Sequence, residues 1–270
     1  IKEKRFELQS GLRGETLVRK GLMRRIDEIP QIRIMPDLNV VKIGGHGTMD
    51  FGREVVFPLV EEIGALKNAG EKLLVVTGGG VRVRHIMDIG INLGMPTGVL
   101  AELAGKISEQ NALMMSLLLS RYGGTQVKSG DLLELPTLTS LGLLPVTHGT
   151  PPYGLYEQPA EIGSIPPNRT DTGAVLMAEV MGAKNCILAK NVDGLFTADP
   201  FANPDADFIP EIAAKDLLAM DMEDMVLEKK AVELLIHTKH ITEIRVVNGH
   251  VPGNITKAVR GDAVGTLIHR

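Results

Sequence analysis

Lys42 stands in an apolar run, Val40-Val41-Lys42-Ile43, that ends at Gly44 and Gly45. An ammonium placed there must either reach back to water or point at an anion held over the turn. A second apolar run, "KLLVVT", ends in Gly78-Gly79-Gly80. Glycines at such ends expose backbone N–H groups with no side chain in the way, the concavity in which phosphates sit. The competing reading is a tight strand-to-helix turn, which glycine suits because it tolerates φ > 0. Two such turns, with Lys42 as a point charge beside one of them, favour phosphate. Thr170 and Asp171 precede the helix-like run "TGAVLMAEVMGA". Both are ordinary N-cap residues. Alternatively, the Asp171 carboxylate orients Lys42 or a Mg²⁺-bound water near phosphates, since Mg²⁺ keeps several waters and takes few protein carboxylates. The two readings are compatible. In "KNVDGLFTADP", Lys190 precedes an Asp-Gly turn at Asp193 and an Asp-Pro turn at Asp199. The plain reading of that stretch is a hairpin.

These groups need elements to hold them. Strand-like and helical runs alternate after about residue 36. "NVVKIGG" is followed by a helix over 53–68, with apolar residues at Val56, Leu59, Val60, Ile63 and Leu66. "KLLVVTGGG" is a second buried strand. Helices are expected near 84–93 and over 108–121, and short strands near 126–128 and 144–147. The segment 148–171, "HGTPPYGLYEQPAEIGSIPPNRTD", is too proline-dense for regular structure. A helix closed by Gly182, the strand "NCILAK", the hairpin, helices at 213–218 and 228–238, the strand "IRVVN" and a closing "GTLI" complete the chain. Alternation of this kind predicts an α/β fold with a largely parallel sheet, which places ligands at the carboxyl ends of its strands. Residues 1–30 read as an N-terminal arm and 31–270 as one domain.

Composition limits the partners. The 270 residues carry a net charge of −4 and 44% hydrophobic residues. That is enough for a sizeable core, and it argues against nucleic-acid binding through bulk charge. No apolar stretch reaches the ~18 residues that a membrane span needs. The lone Cys186, inside an apolar run, fits a reducing, cytoplasmic setting. The start of the chain has no apolar central region and does not read as a signal peptide. With 3% aromatic residues and no tryptophan, base or sugar stacking is not favoured.

"VVKIGG", "VVTGGG", "TDTGA" and "VDGLFTADP", in this order, resemble the amino-acid kinase superfamily, most of all its UMP kinase branch, over about residues 36–270. The resemblance implies a three-layer α/β/α sandwich with ATP on one side of the sheet ends and the phosphoryl acceptor on the other. It implies that Lys42, Gly44 and Gly45 meet the ATP phosphates, that Asp171 organises the phosphoryl-transfer site, and that Asp193, Phe196 and Asp199 line the nucleotide pocket. Arg84, in "GGGVRVRH", stands where that branch has a phosphate-binding arginine. The aspartate that holds the uridine ribose corresponds to Ala101, and the short pyrimidine loop is replaced by the long 148–171 segment. The lysine typical of the strand before the nucleotide hairpin is Leu188, with Lys190 nearby. A retained ATP site with an altered acceptor site points to ATP used for something other than making UDP.

These departures resemble a second subfamily, the molybdenum storage protein subunits, through "RVRH", "SEQNA", "PPY…IPP.RTDTG" and "VVNGHVPGN". That resemblance implies a hexameric cage of one subunit type or of two homologous types, ATP hydrolysis, and molybdate or tungstate packed as polyoxometalate clusters. Oxoanions are phosphate-like tetrahedra, so backbone N–H groups and Arg or His⁺ donors suit them. One subunit type carries a histidine-rich run after "PPY"; here the run is Gly154-Leu155-Tyr156-Glu157. His148, His85 and Arg84 are then the candidates for metal-oxide contacts, and plain structural histidines are the alternative. His237 and His240, three apart on the expected helix, share a face that is either a site or solvated. Lys229 and Lys230 open the same helix, facing an anion or solvent. Met114, Met115 and Leu117–Leu119 read as helix packing. Two other readings remain open: a UMP kinase-type nucleoside monophosphate kinase, and an oxoanion sensor or carrier without ATP turnover.

Overall fold

The computed structural model describes residues 29–200, 203, 205–222 and 225–270. The expected arm falls almost wholly outside them. Arg33–Arg270 form one compact unit.

Strand β1 (Leu38–Ile43) is buried at every position. Such a run, with no polar alternation, fits a strand covered on both faces. After it come α1 (Arg53–Asn68), β2 (Lys72–Thr77), α2 (Val81–Asn92), α3 (Thr97–Leu118), β3 (Gly124–Gln126), α4 (Leu135–Ser140) and β4 (Leu144–His148). The second half comprises α5 (Thr170–Met181), β5 (Asn185–Lys190), β6 (Leu195–Phe196), β7 (Phe208–Ile209), β8 (Glu211–Ala213), α6 (Ala214–Ala219), α7 (Lys229–Leu235), β9 (Glu243–Asn248), α8 (Asn254–Arg260) and β10 (Thr266–His269).

Eight strands form one sheet in the order β3-β4-β2-β1-β5-β9-β10-β8. All neighbours are parallel except β9 and β10. β1 is central, with β2 on one side and β5 on the other, so the chain departs from it in both directions. This is the topological arrangement that opens a crevice at the carboxyl ends of the strands.

The period-2 alternation of the strands sorts their side chains into two cores. Val40, Leu74, Leu188 and Val246 pack with α5, α6 and α7 on one face. Val41, Val75, Ile187 and Val247 pack with α1, α3 and α8 on the other. Helices on both faces complete the expected three-layer α/β/α sandwich.

Several boundaries differ from the sequence expectation. α3 starts eleven residues before the expected Ser108. Its first turns, rich in small residues, pack beneath the 150–157 loop: a Cβ on Gly98 would lie 2.3 Å from Leu155 O. Leu195–Phe196 do not form a tight hairpin at the Asp-Gly turn; they pair antiparallel with Phe208–Ile209 after a longer excursion. α7 ends at Leu235, so His237 and His240 are not on a helix. The His240 ring Nδ1 instead lies 2.8 Å from Glu179 O. α8 and β8 were not expected at all. Met115 on α3 and Leu119 just after it are fully buried as packing residues, but Met114 and Leu117 are exposed.

Candidate active-site cleft

At the carboxyl ends of β1, β2 and β5 lies a cavity of about 450 Å³. It brings together Lys42, Gly44, Gly45, Gly78, Gly79, Arg84, Thr170, Asp171 and Lys190 from the sequence reading.

The same alternation that builds the cores places the charges. Lys42 is two residues beyond Val40 and shares its face, that of α5. On β5, Lys190 is two residues beyond Leu188, which pairs with Lys42 in register. Both ammonium groups therefore project toward the start of α5. Asp171 meets them there, with Oδ1 at 2.7 Å from Lys42 Nζ and Oδ2 at 2.7 Å from Lys190 Nζ. All three side chains are almost entirely buried. Lys42 thus points at an anion, and in the protein itself that anion is Asp171.

Burial alone would raise the Asp171 pKa, but Lys190 and Lys42 outweigh it and hold the carboxyl well below the usual range. Burial pushes the Lys190 pKa down, opposed by Asp171. The N-cap reading of Thr170 and Asp171 does not hold, because Arg169 occupies the cap position with no side-chain cap and α5 starts at Thr170.

The cap is supplied by a residue that sequence reasoning missed. Glu228, immediately before α7, accepts from Asp171 N at 3.0 Å, Thr172 N at 2.9 Å and Thr172 Oγ1 at 2.7 Å. Its own N–H donates to Asp171 Oδ2 at 3.2 Å. A buried carboxylate on the positive end of α5 satisfies N–H groups that would otherwise be orphaned. No local pattern marks it, because Glu228 lies 57 residues away along the chain.

The two glycine turns touch. A Cβ on Gly45 would lie 2.1 Å from Gly80 N, so only glycine allows that approach. A Cβ on Gly78 would lie 3.2 Å from Thr170 Oγ1 and 3.5 Å from Lys42 Nζ. Asp50, in the first turn, accepts from Val81 N at 2.7 Å and ties it to the start of α2. His250, after β9, contacts Gly47 O through Nε2 at 2.5 Å and meets Phe51 edge-on. Four cationic side chains, Lys42, Arg84, Arg169 and Lys190, line the cleft against two carboxylates, Asp171 and Glu228. That imbalance suits a polyanion.

The acceptor side is narrow. Ala101, at the expected ribose-carboxylate position, is 2% exposed and Ala104 is 7% exposed. The short helical turn Gly154–Tyr156 packs on α3 above them. Glu157, in place of part of the histidine-rich run, is buried and accepts from Asn168 Nδ2 at 2.9 Å, clipping the two ends of the intervening loop.

Other expected residues lie outside the cleft lining. Asp193 accepts from Asn248 Nδ2 at 2.8 Å. Phe196 stacks edge-on against Phe208. Asp199 O accepts from Asn203 N at 2.8 Å. His85 is exposed on α2. His148, at the end of β4, is half-buried beside Ser129, and its Nδ1 has no partner among the described residues. Burial lowers its pKa, with Glu109 opposing. Lys229 and Lys230 pair with Asp221 and Glu233 near solvent rather than facing the cleft. Among the described residues, no group of three or more His, Cys, Asp or Glu is placed to hold a metal ion. No helix among them is long and apolar enough to cross a membrane.

A central parallel sheet with two apposed glycine turns, buried lysines and a shared aspartate at its strand ends defines a protein of the amino-acid kinase class. The chain belongs to the amino acid kinase family, whose model matches residues 37–248. It is 42% identical to the molybdenum storage protein subunit beta of Azotobacter vinelandii over 262 residues, 97% of each chain. It is 30% identical to the uridylate kinase of Thermofilum pendens over 242 residues, 86% of this chain and 97% of that one. The crystal structure of uridylate kinase from Archaeoglobus fulgidus superposes with a TM-score of 0.67 at 25% identity, covering 85% of this chain and 99% of that one.

Proposed function

We propose that this chain is an ATP-binding storage subunit that packs molybdate or tungstate as polyoxometalate clusters in a hexamer, driven by ATP hydrolysis. The observation that carries the reading is the 42% identity, over 97% of both chains, to a molybdenum storage subunit, against 30% to the uridylate kinase of T. pendens. The cleft supports it independently. It keeps the charged residues that a polyphosphate needs, while the acceptor side has a buried alanine where a ribose would require a carboxylate.

In this reading Lys42 and Lys190 hold the nucleotide phosphates, and Asp171 fixes both ammonium groups in place beforehand. Preorganised cations stabilise the charge that develops as water adds to the γ-phosphorus and the bond to the bridging oxygen breaks, giving ADP and phosphate. A Mg²⁺ brought by the nucleotide would have Asp171 as its candidate carboxylate in the cleft. When bound, that ion neutralises phosphate charge. Asp193, Phe196 and Asp199 belong to the nucleotide side. Arg84 and His148 are the oxoanion-contact candidates, with exposed His85 a third. Residues 1–30 serve as an arm between subunits.

The test is elemental analysis of purified protein after incubation with ATP, Mg²⁺ and molybdate, paired with a coupled ATP–UMP assay. Retained metal with UDP formation near background supports storage. A site that lacks the hydrogen bonds a substrate needs typically discriminates by several orders of magnitude. UDP formation at rates typical of metabolic kinases, without retained metal, would replace storage with the uridylate kinase reading.

A further inference from the structure

Asn111, on α3, is fully buried, and its carboxamide joins Gly78, in the cleft lining, to Arg82 on α2. Nδ2 donates to Gly78 O at 2.6 Å, and Oδ1 accepts from the guanidinium of Arg82. An arginine only donates and a carbonyl only accepts. A side chain that bridges them must therefore offer one acceptor and one donor, and this fixes which way the amide faces. α3 grips the same strand end a second time, where Thr77 Oγ1 donates to Ser108 O at 3.1 Å.

The peptide between Gly78 and Gly79 is planar and trans, so its C=O and N–H point in opposite directions. With the Gly78 carbonyl held on Asn111, the Gly79 N–H is turned away from it. Gly79 is buried and lines the cleft. Its N–H has no acceptor among the described residues. A buried N–H without a protein partner is satisfied by ligand or water. Glycine on both sides of this peptide leaves its orientation weakly determined by the backbone alone. We propose that Asn111 is a positioning residue that fixes the Gly78–Gly79 peptide with the Gly79 N–H aimed at a tetrahedral oxyanion in the cleft. The inference rests on the anion-binding reading given above and extends it to the acceptor side.

Asn111→Asp tests this with almost no change in shape. The variant keeps an acceptor for Arg82 but sets an oxygen against Gly78 O, which favours turning the peptide over and directing a carbonyl into the cleft. Titration calorimetry with inorganic phosphate and with molybdate should show affinity reduced about 10-fold or more, the scale of one hydrogen bond to a charged group. ADP, held on the β5 side, should stay within about threefold on the same reasoning. Arg82→Ala leaves the donor to Gly78 in place and should also stay within about threefold. In wild-type protein labelled with ¹⁵N-glycine, saturating phosphate should move the Gly79 amide resonance. Unchanged phosphate and molybdate affinity in Asn111→Asp overturns the inference. So does a Gly79 resonance unmoved by phosphate in the wild type, which decides the matter alone if the variant does not fold. Wild-type protein that binds ATP but neither oxyanion overturns it while leaving the nucleotide reading standing; protein that binds none of them overturns both.

Discussion

Lys42, Lys190 and Asp171 form a buried arrangement in which one carboxylate neutralises two ammonium groups only in part. The surplus positive charge is what an incoming phosphate would meet. Lys42→Ala should therefore weaken ATP–Mg²⁺ binding by about 1.5–3 kcal/mol, roughly 10- to 150-fold, measured by calorimetry. Unchanged affinity would make Lys42 a structural lysine. The pKa of Asp171 is depressed in the folded protein, so its stabilisation is complete above the unfolded value near pH 4. It is lost as pH falls through the folded value. Asp171→Asn leaves two buried ammonium groups unpaired, a change of about 3–5 kcal/mol in stability. Urea unfolding at pH 7 should show the lower stability, and unfolding from about pH 5 down to about pH 2 should show a flattened acid limb. His148 has the same sign for a different reason. Burial lowers its pKa in the folded state, so the unfolded chain takes up its proton at a higher pH, near 6.5. Stability should fall as pH drops below that point, and His148→Gln should lessen the slope there. An identical slope in the variant would place the titration elsewhere.

The central strands and the helices α1 and α5 were legible because strong periodicity and glycine punctuation coincide there. Val56, Leu59, Val60 and Ile63 recur at helical spacing, and Gly182, with φ of +64°, closes α5 as its position implies. The cleft was legible for the same reason, since its lysines and glycines sit at ends of those strands. What stayed hidden depends on tertiary partners. The first turns of α3, "TGVLAELAGK", gain their helical state beneath the 150–157 loop. β8 is three residues long and takes its pairing from β10. Glu228 illustrates the point at a functional position: a residue before one helix caps another. Glu228→Gln removes the charge and sets an amide N–H₂ against backbone donors. It should lower stability by about 1–3 kcal/mol and shift the thermal midpoint down. A midpoint unchanged from wild type would show that the cap is dispensable. The Glu157–Asn168 clip makes 158–167 a closed loop of its own. Deleting Pro159–Ser164 should therefore lower retained molybdenum more than ATP binding, because the proposed nucleotide residues lie on β1, α5 and β5. Equal loss of both would remove this loop from the metal-binding wall.

At the scale of the molecule, charge decides how a cargo of polyanions can be held. The chain carries a net charge of −4, so a cluster of oxoanions on its open surface would be repelled rather than retained. Retention requires local donors arranged around an enclosed space, and several subunits with closed symmetry provide one. Leu113 and Leu117, one turn apart on α3, are 47% and 64% exposed, an apolar stripe that subunit contact would cover. Three isologous pairs around a threefold axis would satisfy both needs, with the 148–171 segment placed on the inner wall. The purified protein should then elute in gel filtration with the mass of about six chains, and multi-angle light scattering should return the same figure. After loading with ATP, Mg²⁺ and molybdate, molybdenum should co-elute with that peak at more than one atom per chain, as storage in clusters rather than as single ions requires. A second homologous subunit, if the cage needs one, would be revealed by assembly only on co-expression. A stable monomer that retains no metal after loading, alone or with such a partner, would overturn the storage assembly and leave a nucleotide-binding protein of the family with some other use for its cleft.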